Sequence, residues 1–170
     1  MNYIDMINVS SVDYLGFSTV LQVSGCSHGC KGCFVSREAW KPTFGSTFTE
    51  ETYKEIIENL SKTFISNLVL QGGDPLHKAN IKEVIELCRS VREVLPEKRI
   101  VIFTGYTYSQ LLQDPLRKPL LEYIDVLVDG KYEKDLEPAP FRGSSNQEII
   151  NVKESLASGE KVLYTLVQDN

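Results

Sequence analysis

The segment STVLQVSGCSHGCKGCF, residues 18–34, decides how the chain is read. Ser18–Ser24 is rich in Val, Leu and Thr and ends at Gly25, the pattern of a short buried strand stopped by a turn residue. Three cysteines follow at once, Cys26-x3-Cys30-x2-Cys33, with Gly29 and Gly32 between them. Glycine accepts backbone conformations closed to other residues, so this loop can curl until the three thiols converge. Soft thiolates suit zinc or an iron–sulfur centre. A structural zinc site wants four protein ligands, and the fourth would be Cys88 or His28. Cys88 falls on the apolar side of a helical stretch and reads as a small core residue. His28 reads as solvent-facing or as loop packing. Three ligands then look complete without a fourth, because three thiolates on a four-iron cubane leave one iron open to a substrate.

Outward from this loop, strands and helices alternate. Asn67–Gln71 (NLVLQ) is a strand ending in Gly72-Gly73, Arg99–Phe103 (RIVIF) is a strand that breaks at Gly105, and Ile124–Val128 (IDVLV) is stopped by Asp129-Gly130. Between them, Thr49 caps a helix with the stripe Tyr53, Ile56, Ile57 and Leu60, and Asn80 caps another with Ile81, Val84, Ile85, Cys88 and Val91. Ser109–Leu112 and Leu116–Tyr123 are short helical pieces. This order predicts an α/β fold with a mostly parallel sheet and right-handed crossovers. Ligands of such sheets bind at the C-terminal edge of the strands. The cysteine loop, Gly72-Gly73-Asp74-Pro75, Thr104-Gly105-Tyr106 and Asp129-Gly130-Lys131 each follow a strand and are expected at that one edge. In the tail, Gln147–Val152 and Lys161–Val167 read as strands around a turn at Ser158-Gly159. Nothing marks a linker or a repeat, so residues 1–170 are expected to form one domain, with a C-terminal extension from about residue 151.

A chain of 170 residues with 42% hydrophobic and 24% charged residues can fold around one core without disulfides. Its net charge of −5 argues against a nucleic-acid partner. The longest apolar runs, Ile100–Phe103 and Val126–Val128, are far too short for a bilayer. The start, Met1-Asn2-Tyr3-Ile4-Asp5, lacks the basic and apolar regions of a signal peptide, so the expected address is the cytoplasm, where thiols stay reduced.

The cysteine spacing after a first strand, followed by Gly72-Gly73-Asp74-Pro75, resembles the radical S-adenosylmethionine (SAM) enzymes. Their GGEP motif has Glu where this chain has Asp74. MNYIDMIN, SGCSHGCKGCF with Trp40 soon after, QGGDPLH, FTGYTYSQL, VLVDGKY and FRGSSNQEII run in order from Met1 to Ile150. Together they are similar to the activating proteins of anaerobic ribonucleoside-triphosphate reductases, which generate a glycyl radical. Two departures stand out. The family's NGPG-x-R stretch is replaced by Val12–Ser18 (VDYLGFS), without the arginine, and Val35 stands where Asn is frequent.

The resemblance implies a partial, open (β/α) barrel of the radical SAM type. It implies that Cys26, Cys30 and Cys33 hold a [4Fe–4S] cluster whose fourth iron chelates SAM. The reduced cluster would cleave SAM to a 5′-deoxyadenosyl radical that takes hydrogen from a glycine of the anaerobic (class III) ribonucleotide reductase. An electron donor such as a flavodoxin is implied, and no catalytic side chain beyond the cluster ligands is assigned. Gly72 and Gly73 are expected to let the methionine end of SAM lie against free backbone donors and acceptors, with Asp74 a further contact or a turn cap. Asp129 and Lys131 are expected to alternate onto one side and read the amino and carboxylate ends of SAM, with Asp129 as a cation ligand or a plain solvated Asp-Gly turn as the alternatives. Thr104, with Gly105 and Tyr106, is expected to line the adenosine site, with Tyr106 equally readable as ordinary packing. Arg142–Gln147, by composition a turn, becomes a site or partner-facing segment. Phe34 and Trp40 flank the cysteine loop and either shield the cluster or, the preferred reading, anchor the loop in the core. The rival readings are another small radical SAM enzyme acting on a small molecule, and a non-catalytic zinc or iron–sulfur binding module. A thiol redox protein would want Cys-x2-Cys at a helix start without a third cysteine.

Overall fold

Parallel strands joined by helices dominate the architecture because the buried strands are nearly continuous apolar runs. The structure, a computed structural model, describes residues 1–165. Its strands are β1 (Asn2–Ser10), β2 (Phe17–Val23), β3 (Ser46–Thr47), β4 (Ile65–Gly72), β5 (Arg99–Phe103), β6 (Val126–Asp129) and β7 (Glu148–Asn151). Its helices are α1 (Glu50–Leu60), α2 (Ile81–Val94), α3 (Tyr108–Gln113) and α4 (Val152–Ser158), with short 3-10 turns at Glu38–Trp40 and Lys118–Glu122. The seven strands form one open sheet in the order β3-β1-β2-β4-β5-β6-β7. The four central strands, β2-β4-β5-β6, are parallel, and β1, β3 and β7 pair antiparallel at the edges. The central strands follow in chain order without reversal. Same-handed crossovers then stack every connecting helix on the same face.

Strand alternation divides the core in two. Leu21, Val23, Leu68, Leu70, Ile100, Ile102 and Leu127 point to the helical face and pack with Ile56, Leu60, Val84, Leu87 and Val91. Cys88 is fully buried there, as its place on the helical stripe predicts. Among the described residues the opposite face carries no helix. Its residues fall in register: Ser18, Asn67 and Arg99 in one layer, Val20, Val69, Val101 and Val126 in the next, and Gln22 beside Gln71 above them. The valine layer is covered by Tyr14, which is wholly buried, together with Phe141 and Tyr164. Tyr14 comes from the Val12–Ser18 segment that precedes and enters β2. Its ring lies 5.4 Å from that of Phe141, and the Arg99 guanidinium sits 5.9 Å from its centre. Asn67 Nδ2 fixes the same segment by donating to the Leu15 carbonyl at 2.8 Å.

Three elements differ from the sequence reading. β1 and β3 are additions. β1 is hard to see because its ladder to β2 shifts register between Tyr3 and Asp5 and again between Ile7 and Ser10, which breaks the period-two alternation. α4 replaces part of the expected tail hairpin. Asn151 caps it by accepting from the Glu154 N–H at 3.2 Å, and Gly159 ends it in the left-handed region at φ 76°. The strand expected over Lys161–Val167 reduces to one bridge, Leu163 to Ile150, and its last two residues lie outside the described ones.

The buried Tyr14 hydroxyl has no hydrogen-bond partner among the described residues. An unsatisfied buried hydroxyl costs about 1–3 kcal/mol. Tyr14→Phe should therefore raise the urea midpoint at unchanged slope, by about 1 kcal/mol of stability. A lower midpoint would show that the hydroxyl has a partner.

Candidate functional site

All four strand-end motifs meet at the C-terminal edge of the parallel strands, as the alternating order predicts. A cavity of about 540 Å³ opens there, and Cys26, Cys30, Cys33, Gly72, Gly73 and Thr104 all line it. The loop that brings the cysteines together is held from outside by the segment that follows it. Gly25 N–H donates to the Ala39 carbonyl at 2.8 Å and Cys26 N–H to the Trp40 carbonyl at 2.9 Å. Gly29 and Gly32 take left-handed φ values of 65° and 72°, the curl that the spacing calls for. Burial pushes the Cys26 thiol up to about 11, against a lowering by the His28 N–H. A metal ligand must be a thiolate, so binding there releases a proton.

Among the described residues no three His, Cys, Asp or Glu side chains stand close enough to share a single metal ion. A cubane has a different demand, since each thiolate takes its own iron and the ligands stand farther apart. Three thiols from one loop on one cavity fit that group.

Gly72 and Gly73 are required by close approach. A Cβ at Gly72 would stand 2.7 Å from the Val23 carbonyl oxygen, and one at Gly73 would stand 2.6 Å from that of Gly25. The expectation that their backbone donors are free is corrected. Gly73 N–H donates to Val23 O at 2.7 Å and Asp74 N–H to Gly25 O at 2.8 Å. These bonds fasten the start of the cysteine loop to the end of β4.

Asp74 is 1% exposed, and protein donors surround its carboxylate. It accepts from Leu76 N–H at 2.7 Å, Thr104 O–H at 3.0 Å, Gly105 N–H at 3.1 Å and His28 Nε2–H at 2.5 Å. The side chain thus acts between loops rather than facing the cavity, and so does the Thr104 hydroxyl. The His28 ring also stacks edge-on to Tyr106 at 4.6 Å. His28 is therefore loop packing, of a kind that joins the cysteine loop to the ends of β4 and β5. Asn80 does similar work. Its side chain makes no helix cap, and instead its Nδ2 donates to the carbonyls of Ser24 at 2.7 Å and Asp74 at 3.0 Å.

Asp129 and Lys131 do not share a side. Asp129 is buried on the helical face and accepts from Tyr108 N–H at 2.6 Å, while Lys131 is exposed beyond the strand end. Burial raises the Asp129 carboxyl above its ordinary range, against the lowering by that N–H. Strand parity explains the placement, since Asp129 is one residue out of step with Val128, which faces the other way. Phe34 is 81% exposed and leans on Tyr132 at 4.9 Å, so it does not anchor the loop in the core. Trp40 anchors through its backbone carbonyl. In the segment from Arg142 to Gln147, Gln147 closes a turn by accepting from Gly143 and Ser144 N–H while donating to Gly130 O at 2.8 Å.

A family model for a 4Fe-4S single cluster domain matches residues 12–150. The anaerobic ribonucleoside-triphosphate reductase-activating protein of Enterobacteria phage T4 is 41% identical over 150 residues, covering 88% of this chain and 93% of that protein. This chain belongs to the family of reductase-activating proteins. The family's member from Vibrio cholerae is 41% identical over 153 residues, 88% of this chain and 97% of that one. The member from Escherichia coli K12 is 36% identical over 157 residues, 90% of this chain and all of that one (100%). The family model spans the cysteine loop, Gly72-Gly73 and Asp74, and it ends one residue before β7 does.

Asp74→Asn replaces one acceptor oxygen with a donor and leaves at least one N–H or O–H of the network unpaired. Hydrogen bonds to a charged group are worth about 1.5–3 kcal/mol each, so the metal-free protein should lose about 2 kcal/mol or more in urea unfolding. An unchanged midpoint would show that the network does not hold the loops together.

Proposed function

We propose that this chain is a radical SAM activase for the glycyl radical of an anaerobic ribonucleotide reductase. The observation that carries the reading is the meeting of Cys26, Cys30 and Cys33 with the Gly72-Gly73 strand end on one cavity. Family membership supports it and weighs against a non-catalytic zinc or iron–sulfur module.

On this reading Cys26, Cys30 and Cys33 are the ligands of a [4Fe–4S] cluster. That cluster, when bound, supplies the single electron that splits the sulfonium of SAM into methionine and the 5′-deoxyadenosyl radical that takes a hydrogen atom from the partner's glycine. The remaining work falls to the chain itself. The backbone of the cysteine loop offers N–H groups to the cluster sulfurs, one of the ways a protein sets an iron–sulfur potential. Gly72 and Gly73 keep the strand end free of side chains so that SAM can lie along it, through its surface rather than its committed N–H groups. Gly105, against which the His28 ring packs, continues that surface on the next strand. Thr104 and Asp74 serve the SAM site by holding its walls together. Within this reading Asp129 holds the start of α3, and Lys131 remains a rim cation.

The open sheet fits a partial (β/α) barrel of the radical SAM type, its bare face turned inward and its open side admitting the partner's loop. Residues 1–170 would act as one domain. A one-electron donor such as a flavodoxin would reduce the cluster in the cytoplasm, in keeping with four free cysteines. Among the described residues no helix is long and apolar enough to cross a membrane.

Iron and sulfide reconstitution under anaerobic conditions, followed by reductant, SAM and the reductase, tests the proposal. The expected products are 5′-deoxyadenosine and a glycyl-radical resonance on the reductase, both lost in Cys30→Ala. A protein that takes up zinc, builds no cluster and releases no 5′-deoxyadenosine would contradict it.

A further inference from the structure

The cavity has an uncommon lining for a site expected to work on charged molecules. Among the described residues no Asp, Glu, Lys or Arg side chain lines it. Its polar side chains include three glutamines, Gln22, Gln71 and Gln147. Gln147 is spent on the turn it closes, with both its amide oxygen and nitrogen engaged. Gln22 and Gln71 are different. They are register partners on the adjacent parallel strands β2 and β4, one layer above the valines of the bare face. Neighbouring strands stand about 4.8 Å apart, so the two side chains leave the sheet side by side. Two more apolar residues would have continued the packed face. Two half-buried amides instead cost stability to the extent that their polar atoms lack partners, unless a ligand satisfies them.

Their hydrogen-bonding capacity is uneven. Gln71 Nε2 donates to Asp13 Oδ1 at 2.7 Å. A carboxylate only accepts, so Asp13 fixes which way the Gln71 amide faces and leaves Oε1 as a free acceptor. Gln22 makes no side-chain hydrogen bond among the described residues and can donate through Nε2. An acceptor beside a donor, both neutral, complements the N–H and C=O that one residue of an extended chain presents on the same side. A glycine offers a binding site nothing except that backbone.

We propose that Gln22 and Gln71 bind the main chain of the partner segment that carries the target glycine, Gln71 Oε1 accepting its N–H and Gln22 Nε2 donating to its C=O. This rests on the activase reading and names how its protein substrate is seated. Asp13 is the positioning residue that orients Gln71. It comes from the Val12–Ser18 segment, which also carries Tyr14 over the valine layer.

The test uses the reconstituted protein with SAM, reductant and the reductase, following glycyl radical by electron paramagnetic resonance as reductase concentration is varied. Gln22→Leu and Gln71→Leu should each raise the half-saturating reductase concentration about tenfold, the size expected for one buried hydrogen bond left unmade. The change should fall on the reductase rather than on the half-saturating SAM concentration. Gln22→Glu keeps the size and polarity of the side chain but cannot donate, and should weaken the reductase as Gln22→Leu does, which keeps the test open if a leucine variant fails to fold. A rise in half-saturating SAM with the reductase unaffected would assign the amides to the cofactor and overturn the proposal. So would reductase saturation unchanged in all three variants. If the wild-type protein itself releases no 5′-deoxyadenosine from SAM, the activase reading has failed, and this inference falls with it.

Discussion

The carboxylate of Asp74 sits where three chain segments meet, and the geometry of the site depends on how it is satisfied. Its acceptors take donors from the cysteine loop through His28, from the end of β5 through Thr104 and Gly105, and from its own turn through Leu76. At 1% exposure water cannot substitute for any of them, so each lost donor leaves a buried acceptor or donor unpaired. The loop that carries the thiols has little apolar surface of its own with which to hold its shape. It borrows rigidity from the sheet through this carboxylate, through the Gly73 and Asp74 N–H bonds to Val23 and Gly25, and through Asn80. The short side chain of Asp74 suits the role, because the His28 ring reaches in to meet it.

The sheet contributes through parity. Three crossovers in one direction put the helices on one face, and period-two alternation then gives the other face its layers. Polar Ser18, Asn67 and Arg99 lie at the entry end, valines lie in the middle, and Gln22 with Gln71 lie at the exit beside the thiols. The middle layer is plugged by Tyr14 and its aromatic neighbours, so the open space is confined to the end where the strand-terminal motifs converge. The protein thus separates a packed half of its bare face from a half that opens into the cavity.

Much of this was readable in the sequence. The parallel strands announce themselves as apolar runs ended by glycine, and α1 and α2 as stripes behind Thr49 and Asn80. The convergence of the cysteine loop with Gly72-Gly73 follows from strand order alone. What escaped was of two kinds. Elements with broken periodicity were missed: β1 through its register shifts, and α4 through its shortness, although Asn151, Glu154 and Gly159 mark its ends. Side-chain partnerships across long separations were missed as well. His28 and Asp74 are 46 residues apart, and Gln71 and Asp13 are 58 apart, and no local pattern records such pairs. The orientation of Asp129 was available, since counting alternate residues back from it through Leu127 leads to the helical face. Gln22 and Gln71 were likewise visible as polar interruptions just before Ser24-Gly25 and Gly72-Gly73.

The central claim is that three thiolates of one loop hold a four-iron cluster with one iron left for SAM. Electron paramagnetic resonance of the reduced, reconstituted protein with and without SAM tests it most directly. The account predicts a reduced [4Fe–4S] signal whose g-values change when SAM is added, because a ligand on the open iron alters the cluster's electronic environment. A signal identical with and without SAM would contradict it, as would a protein that assembles no four-iron cluster.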